Sequence, residues 1–165
     1  MKLKLTILLA ITISTTLIIS GCSTSCPEIG NKAPDFTLPT VEGENLSLNE
    51  FEGNIIMLNF WATWCGPCKA EMPHFQDVYN DRSNQGLVLL SIDIGENVST
   101  VKTFVDNEGL TFPVLLDSQA KVAEQYCLPQ ALPQTLFIDK EGIIRARKIG
   151  AFRDKSEIES LLDSL

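Results

Sequence analysis

A single histidine, His74, stands among 165 residues, which excludes any site assembled from several imidazoles. Basic residues are also scarce. Thirteen Lys and Arg against 21 Asp and Glu leave a formal charge of −8, the opposite of the basic footprint that recognises nucleic acid. The five cysteines (22, 26, 65, 68 and 127) are too few for a disulfide scaffold and odd in number. The apolar stretch Leu5–Ile19 falls short of the ~20 residues that span a bilayer, and Thr6, Thr12, Ser14, Thr15 and Thr16 dilute it further. No internal repeat or low-complexity tract follows residue 32. What is present is a 44% hydrophobic chain of a length that fits one domain, able to bury roughly 68–70% of its unfolded surface without staples.

The first residues form an address rather than part of that domain. Lys2 and Lys4 precede the apolar stretch, which ends at Ser20-Gly21-Cys22, the layout of a secretory signal. Ile19-Ser20-Gly21-Cys22 also resembles the bacterial lipobox, in which cleavage precedes a Cys that becomes diacylated. Cys22 is therefore the expected lipidation site; an uncleaved anchor or a plain signal peptide is the alternative. Cys26 is the competing acceptor, but Ser23-Thr24-Ser25 lacks the apolar residue of the pattern. Two or more acyl chains give stable membrane attachment. The expected organisation is a signal peptide over 1–21, a lipidated Cys and flexible tether over 22–32, and one folded domain over 33–165. Ten extended tether residues reach at most ~35 Å.

Within that domain the pattern alternates between strands and helices. Phe36-Thr37-Leu38 and Leu46-Ser47-Leu48 flank Glu42-Gly43-Glu44 and predict an N-terminal β-hairpin. Ile55–Phe60 and Leu87–Ile94 read as buried strands. Helices are expected over Pro67–Arg82, Val98–Glu108 (closed by Gly109), Ser118–Tyr126 and Asp154–Leu165, and a short strand over Phe112–Leu116. Thr135–Asp139 and Ile143–Ile149 form a hairpin around Lys140-Glu141-Gly142. The order predicts a single α/β domain, a mixed central sheet with helices on both faces.

The chemistry lies in Cys65-Gly66-Pro67-Cys68. Two cysteines three apart at a helix start can close a small disulfide. The helix N-terminus, with unpaired N–H groups and partial positive charge, favours a thiolate at Cys65. Pro67 suits the first turn, where a missing N–H costs nothing, and Trp61 and Trp64 supply an apolar surround. Cys65 is the expected exposed nucleophile and Cys68 the shielded resolving thiol. The competing reading is a metal site completed by Cys127 and His74. His74 lies six residues past Cys68, about 240° round the helix, so no metal is expected, and His74 reads as a solvated helix residue.

The run Asn59-Phe60-Trp61-Ala62-Thr63-Trp64-Cys65-Gly66-Pro67-Cys68-Lys69-Ala70-Glu71-Met72-Pro73 resembles the active site of thioredoxin-like proteins, and more the membrane-anchored TlpA/ResA/CcmG type than thioredoxin itself. The resemblance extends from Ala33-Pro34-Asp35-Phe36 through Leu132-Pro133-Gln134-Thr135-Leu136-Phe137-Ile138-Asp139 to Ile149-Gly150, and implies a thioredoxin fold. It implies that Pro133 is the cis-proline facing the Cys pair, with a strand-entry proline as the alternative, Pro129 being only four residues earlier. Leu132 then abuts the substrate sulfur, and Trp64 flanks it. Asn59 stands where thioredoxin has a buried Asp and cannot ionise. Glu71 matches an acid of the ResA-like branch. If partly buried it would have a raised pKa and could take the Cys68 proton; otherwise it is an exposed helix acid. Pro73 should kink its helix. Cys127 departs from the pattern and reads as a free buried thiol, with a disulfide to Cys26 or a redox role as alternatives.

The resemblance further implies a thiol-disulfide oxidoreductase outside the cytoplasmic membrane. It would need no cofactor and would reduce protein disulfides, apocytochrome c CxxCH cysteines first among them. A membrane electron donor of the CcdA or DsbD kind would recharge it. The alternatives are a metal-handling lipoprotein and a peroxiredoxin-like peroxidase, which shares Ala33-Pro34-Asp35-Phe36. In the peroxidase pattern a Thr stands three residues before the reactive Cys with a Pro upstream. Here Ala62 holds that place and the strand has no Pro.

Overall fold

The computed structural model describes residues 26–128 and 131–165. The expected signal peptide, the lipidation candidate Cys22 and Pro129 lie outside the described residues. Strand β1 (Thr37–Pro39) pairs antiparallel with β2 (Asn45–Ser47) as the expected hairpin. Then come β3 (Ile55–Trp61), α1 (Gly66–Arg82), β4 (Leu87–Ile94), α2 (Val98–Glu108), β5 (Val114–Asp117), α3 (Lys121–Gln125), β6 (Gln134–Ile138), β7 (Ile144–Ile149) and α4 (Lys155–Leu162). The main sheet has the order β5-β4-β3-β6-β7. β3 runs parallel to β4, and β4 to β5, whereas β6 is antiparallel to both β3 and β7. This is the mixed sheet the resemblance implies.

Two apolar layers explain why β3, β4, β5 and β6 carry near-continuous hydrophobic runs, since these strands are buried on both faces. On one face Met57, Leu89 and Phe137 pack with Met72, Phe75 and Val78 of α1, Val101 and Val105 of α2, and Ile158 and Leu162 of α4. On the other, Leu58, Leu90 and Leu136 meet Val122 of α3 and Ala33, Phe36, Leu38 and Leu48 of the N-terminal segment. Local chemistry sets the helix ends. Asn97 caps α2 by accepting from Thr100 N (3.0 Å), Asp154 caps α4 by accepting from Glu157 N (3.0 Å), and Gly109 ends α2 at φ 64°.

Several expectations are corrected. Residues 26–32 are not a free tether. Gly30 N donates to Ile144 O (2.8 Å), Ile144 N to Asn31 O (2.9 Å), and Arg147 Nη2 to Pro27 O (2.9 Å), so this segment lies along β7. Cys127 is no free thiol. It is half-buried and disulfide-bonded to Cys26, with Cα atoms 5.4 Å apart. The third helix is shorter than expected because Ser118 and Gln119 form a turn and Ala120 takes φ 56°. β5 begins at Val114 because Pro113, with no N–H, cannot extend the ladder. Helix α1 runs unbroken through Pro73.

Candidate active site

β3 ends at Trp61 and α1 begins at Gly66, so Ala62–Cys65 is the turn that delivers the cysteine pair to the C-terminal edge of the sheet. Cys65 is the N-cap of α1. Its Sγ accepts from Cys68 N (3.2 Å), so the sulfur sits where the helix presents its unpaired N–H groups and positive end. Cys65 and Cys68 are joined as a disulfide, Cα atoms 5.3 Å apart. Cys65, expected to be exposed, is buried like its partner in this disulfide form: Cys65 is 5% exposed and Cys68 0%. The tryptophans divide. Trp61 is fully buried against Phe104, ring centroids 5.1 Å apart, whereas Trp64 is 71% exposed.

The Leu132–Pro133 peptide is cis. Its surroundings fix the segment: Pro133 O accepts from Gly150 N (2.9 Å) at the end of β7, and Leu132 packs against both apolar layers. The layer that holds Leu132 also contains Cys65 and Cys68. Trp64, Cys65, Cys68, Leu132 and Pro133 therefore belong to one end of the sheet. His74 is half-buried along α1. No group of three His, Cys, Asp or Glu side chains is placed to hold a metal among the described residues.

Glu71 lies one turn after Cys68 and is completely buried, not an exposed helix acid. Phe152 N donates to Glu71 Oε2 (3.0 Å) and Asn59 Nδ2 to Glu71 Oε1 (3.3 Å). Asn59 is itself the centre of a polar line across three strands. Ser91 Oγ donates to Asn59 Oδ1 (3.2 Å), and Asn59 Nδ2 also reaches Thr135 Oγ1 (3.1 Å). The line exists because Ser91 and Thr135 are the register partners of Asn59 in β4 and β6. Neither was singled out from sequence; the available signal was a small hydroxyl interrupting an apolar strand. Burial pushes the Glu71 carboxyl up to about 7, against the two hydrogen bonds and the Lys148 charge.

A second buried acid went unanticipated. Asp93 on β4 is fully enclosed; burial, then its interaction with Glu96, pushes it up to about 8. Both acids hold protons in the native state that the unfolded chain releases near pH 4. Their stabilising contribution is complete below that pH and is lost as pH rises through about 7 for Glu71 and about 8 for Asp93. Unfolding free energy should thus fall with rising pH between roughly 5 and 7, by about 1.4 kcal/mol per pH unit for each group. Urea titrations at several pH values check this. Glu71→Gln should remove its share of the slope, and an unchanged slope in that variant would exclude Glu71 as a source.

Comparison with known proteins agrees with this geometry. The AhpC/TSA family pattern matches residues 29–147. The thiol-disulfide oxidoreductase ResA of Geobacillus kaustophilus is 37% identical over 137 residues, covering 83% of this chain and 78% of that protein. Among solved structures, a Chlorobium tepidum protein described as a thiol:disulfide interchange protein DsbE superposes with a TM-score of 0.78 at 25% identity, covering 84% of this chain and 97% of its own. StoA from Bacillus subtilis superposes at 0.68 with 29% identity, covering 78% and 96%. With its fold, its buried cysteine pair at the start of α1 and these relatives taken together, the chain belongs to the AhpC/TSA family and is a thiol-disulfide oxidoreductase of the ResA kind.

Proposed function

We propose that this protein is an extracytoplasmic, lipid-anchored reductase of protein disulfides, with Cys65 as the attacking sulfur and Cys68 as the resolving one. The observation that carries this reading is Cys65 Sγ at the N-cap of α1, accepting from Cys68 N, because a thiolate there is stabilised by the helix end. Glu71, on the same helix and three residues on, takes the Cys68 proton when that thiol attacks. Its value of about 7 lets it accept and return a proton near neutrality. Leu132 and cis-Pro133 receive the client backbone alongside β6, and Trp64 covers the approach.

Cys22 is the lipid-bearing residue in this reading. Cys26, the competing acceptor, is already bonded to Cys127. That bond leaves three residues between Cys22 and Cys26, four Cα–Cα steps or at most ~14 Å of extended chain, so clients must come close to the membrane. The family resemblance suggests apocytochrome c CxxCH disulfides as clients and a CcdA- or DsbD-type membrane protein as electron donor.

The test is reduction of an oxidised CxxCH peptide by the dithiol form, with the midpoint potential of the Cys65–Cys68 couple measured alongside. One peptide disulfide should open for each Cys65–Cys68 disulfide formed, at a potential near or below about −270 mV, the thioredoxin range. A value near about −120 mV, that of a strong disulfide former, would reverse the direction of electron flow.

A further inference from the structure

The loop after β4 reaches back to the turn that carries the cysteine pair. Glu96 Oε2 accepts from Thr63 N (2.6 Å) and Glu96 Oε1 from Thr63 Oγ1 (2.7 Å), a two-point clamp on a residue two before Cys65. Thr63 sits inside the turn closed by Cys65 N donating to Ala62 O (3.1 Å), and directly precedes the exposed Trp64. The clamp is itself anchored. Ser118 Oγ donates to Glu96 O (2.9 Å), and Gly95 N to Asp117 O (3.0 Å), which ties the Glu96 loop to the end of β5.

Three residues before Glu96, on β4, is Asp93, in register with Trp61 on β3 and Leu116 on β5. Among the described residues no N–H or O–H group donates to either oxygen of this enclosed carboxyl, and the polar group acting on it most strongly is the Glu96 side chain. The charged groups acting on it are Glu96 from its own loop and Asp117 from β5; both are acids. Asp117 is buried and accepts from Ala123 N (2.8 Å). Two carboxylates cannot share such a site, so one proton must remain with the pair. Glu96 is the ionised member, since the Thr63 hydroxyl, Asp93 and the Thr63 N–H favour its charge and outweigh its partial burial.

We propose that Asp93 and Glu96 are positioning residues for the reactive turn: a carboxyl pair with one shared proton, in which Asp93 donates to Glu96 and Glu96 holds Thr63 and so sets the placement of Trp64 and Cys65. The proposal rests on Cys65 as the attacking sulfur. Loss of the shared proton in alkaline solution sets two like charges against each other. It thereby loosens the clamp on Thr63 with no change at the cysteines themselves.

The experiment follows the Thr63 amide by 1H–15N NMR in the oxidised protein from about pH 6 to about pH 10. In the unsubstituted protein the amide should move in one step with a midpoint near the Asp93 value of about 8. Asp93→Asn, which can still donate to Glu96 but cannot titrate, should lose the step and keep the neutral-pH position of the Thr63 signal. In the dithiol form, Glu96→Gln should displace the pH profile of Cys65 alkylation by iodoacetamide. A Thr63 amide that stays still across the range overturns the proposal, as does a step that survives in Asp93→Asn or an alkylation profile unmoved by Glu96→Gln. If the unsubstituted dithiol protein fails to reduce disulfides, the functional reading fails, while the Thr63 titration still reports on the clamp.

Discussion

Cys65→Ser is expected to lower disulfide reduction by at least about 10³-fold, the scale on which loss of an enzyme's nucleophile acts, and Cys68→Ser is expected to leave clients covalently attached. The two outcomes follow from the order of bond exchange in the proposed reaction. The Cys65 thiolate attacks one client sulfur, so a Cys65–client bond forms and the client disulfide breaks, its second sulfur leaving as a thiolate. Cys68 then gives its proton to Glu71 and attacks Cys65 Sγ; the Cys65–Cys68 bond forms and the client's first sulfur departs. Two electrons pass from the dithiol to the client. A Ser at 68 has no thiolate for the second exchange, so the reaction halts at the mixed disulfide. Cys65 is the proposed attacker because it caps the helix N-terminus and is the less buried of the pair, 5% exposed against 0%. Mass spectrometry of a non-reduced mixture with an oxidised peptide checks both arms. Adducts on the Cys65→Ser variant, through Cys68, would invert the assignment.

The second large effect concerns stability. Replacing Cys26 and Cys127 together by Ser should cost about 3–5 kcal/mol, because the bond closes a loop across 101 residues and constrains the unfolded chain accordingly. For a domain of this size that corresponds to a melting temperature lower by roughly 10 °C. The native contacts of residues 27–33 with β7 do not depend on the sulfurs and should persist at low temperature. Thermal unfolding of the double variant against the oxidised parent is the measurement. Equal midpoints would show that residues 26 and 127 stay together in the unfolded ensemble without the bond. A reductant that opens this bond should reproduce the variant's melting temperature.

These two predictions differ in how far they could be read from the chain. The roles assigned to Cys65 and Cys68 follow from a motif four residues long at a strand-to-helix junction, and the elements on either side were legible from hydrophobic period and cap residues. Leu87–Ile94 and Val98–Glu108 coincide with β4 and α2, because a buried strand and a helix capped by Asn97 and Gly109 carry their signals locally. The Cys26–Cys127 bond carries no such signal. Its partners are 101 residues apart, and only the crossing of the N-terminal segment over the sheet brings them together. The tether was misjudged for the same reason: a polar stretch with Pro and Gly looks alike whether it hangs in water or hydrogen-bonds to β7.

The site divides along the same line. Glu71 could be named from its spacing to Cys68, yet its burial, and with it a carboxyl able to hold a proton near pH 7, depends on Asn59 from β3 and Phe152 from the segment before α4. Asp93, Glu96 and Thr63 gave no warning, since an Asp in an apolar strand and a Glu in a loop are unremarkable until strand pairing sets them beside the reactive turn.

By itself, the sequence determined the cysteine pair, the alternation of strands and helices, the acidic character and the family. Those depend on residue types and short spacings. Tertiary structure alone decided which acids are buried, which cysteines pair outside the motif, and how little of Cys65 meets solvent. Each of those depends on groups far apart in the chain whose separation from water, and from one another, is set only when the sheet and its two apolar layers close.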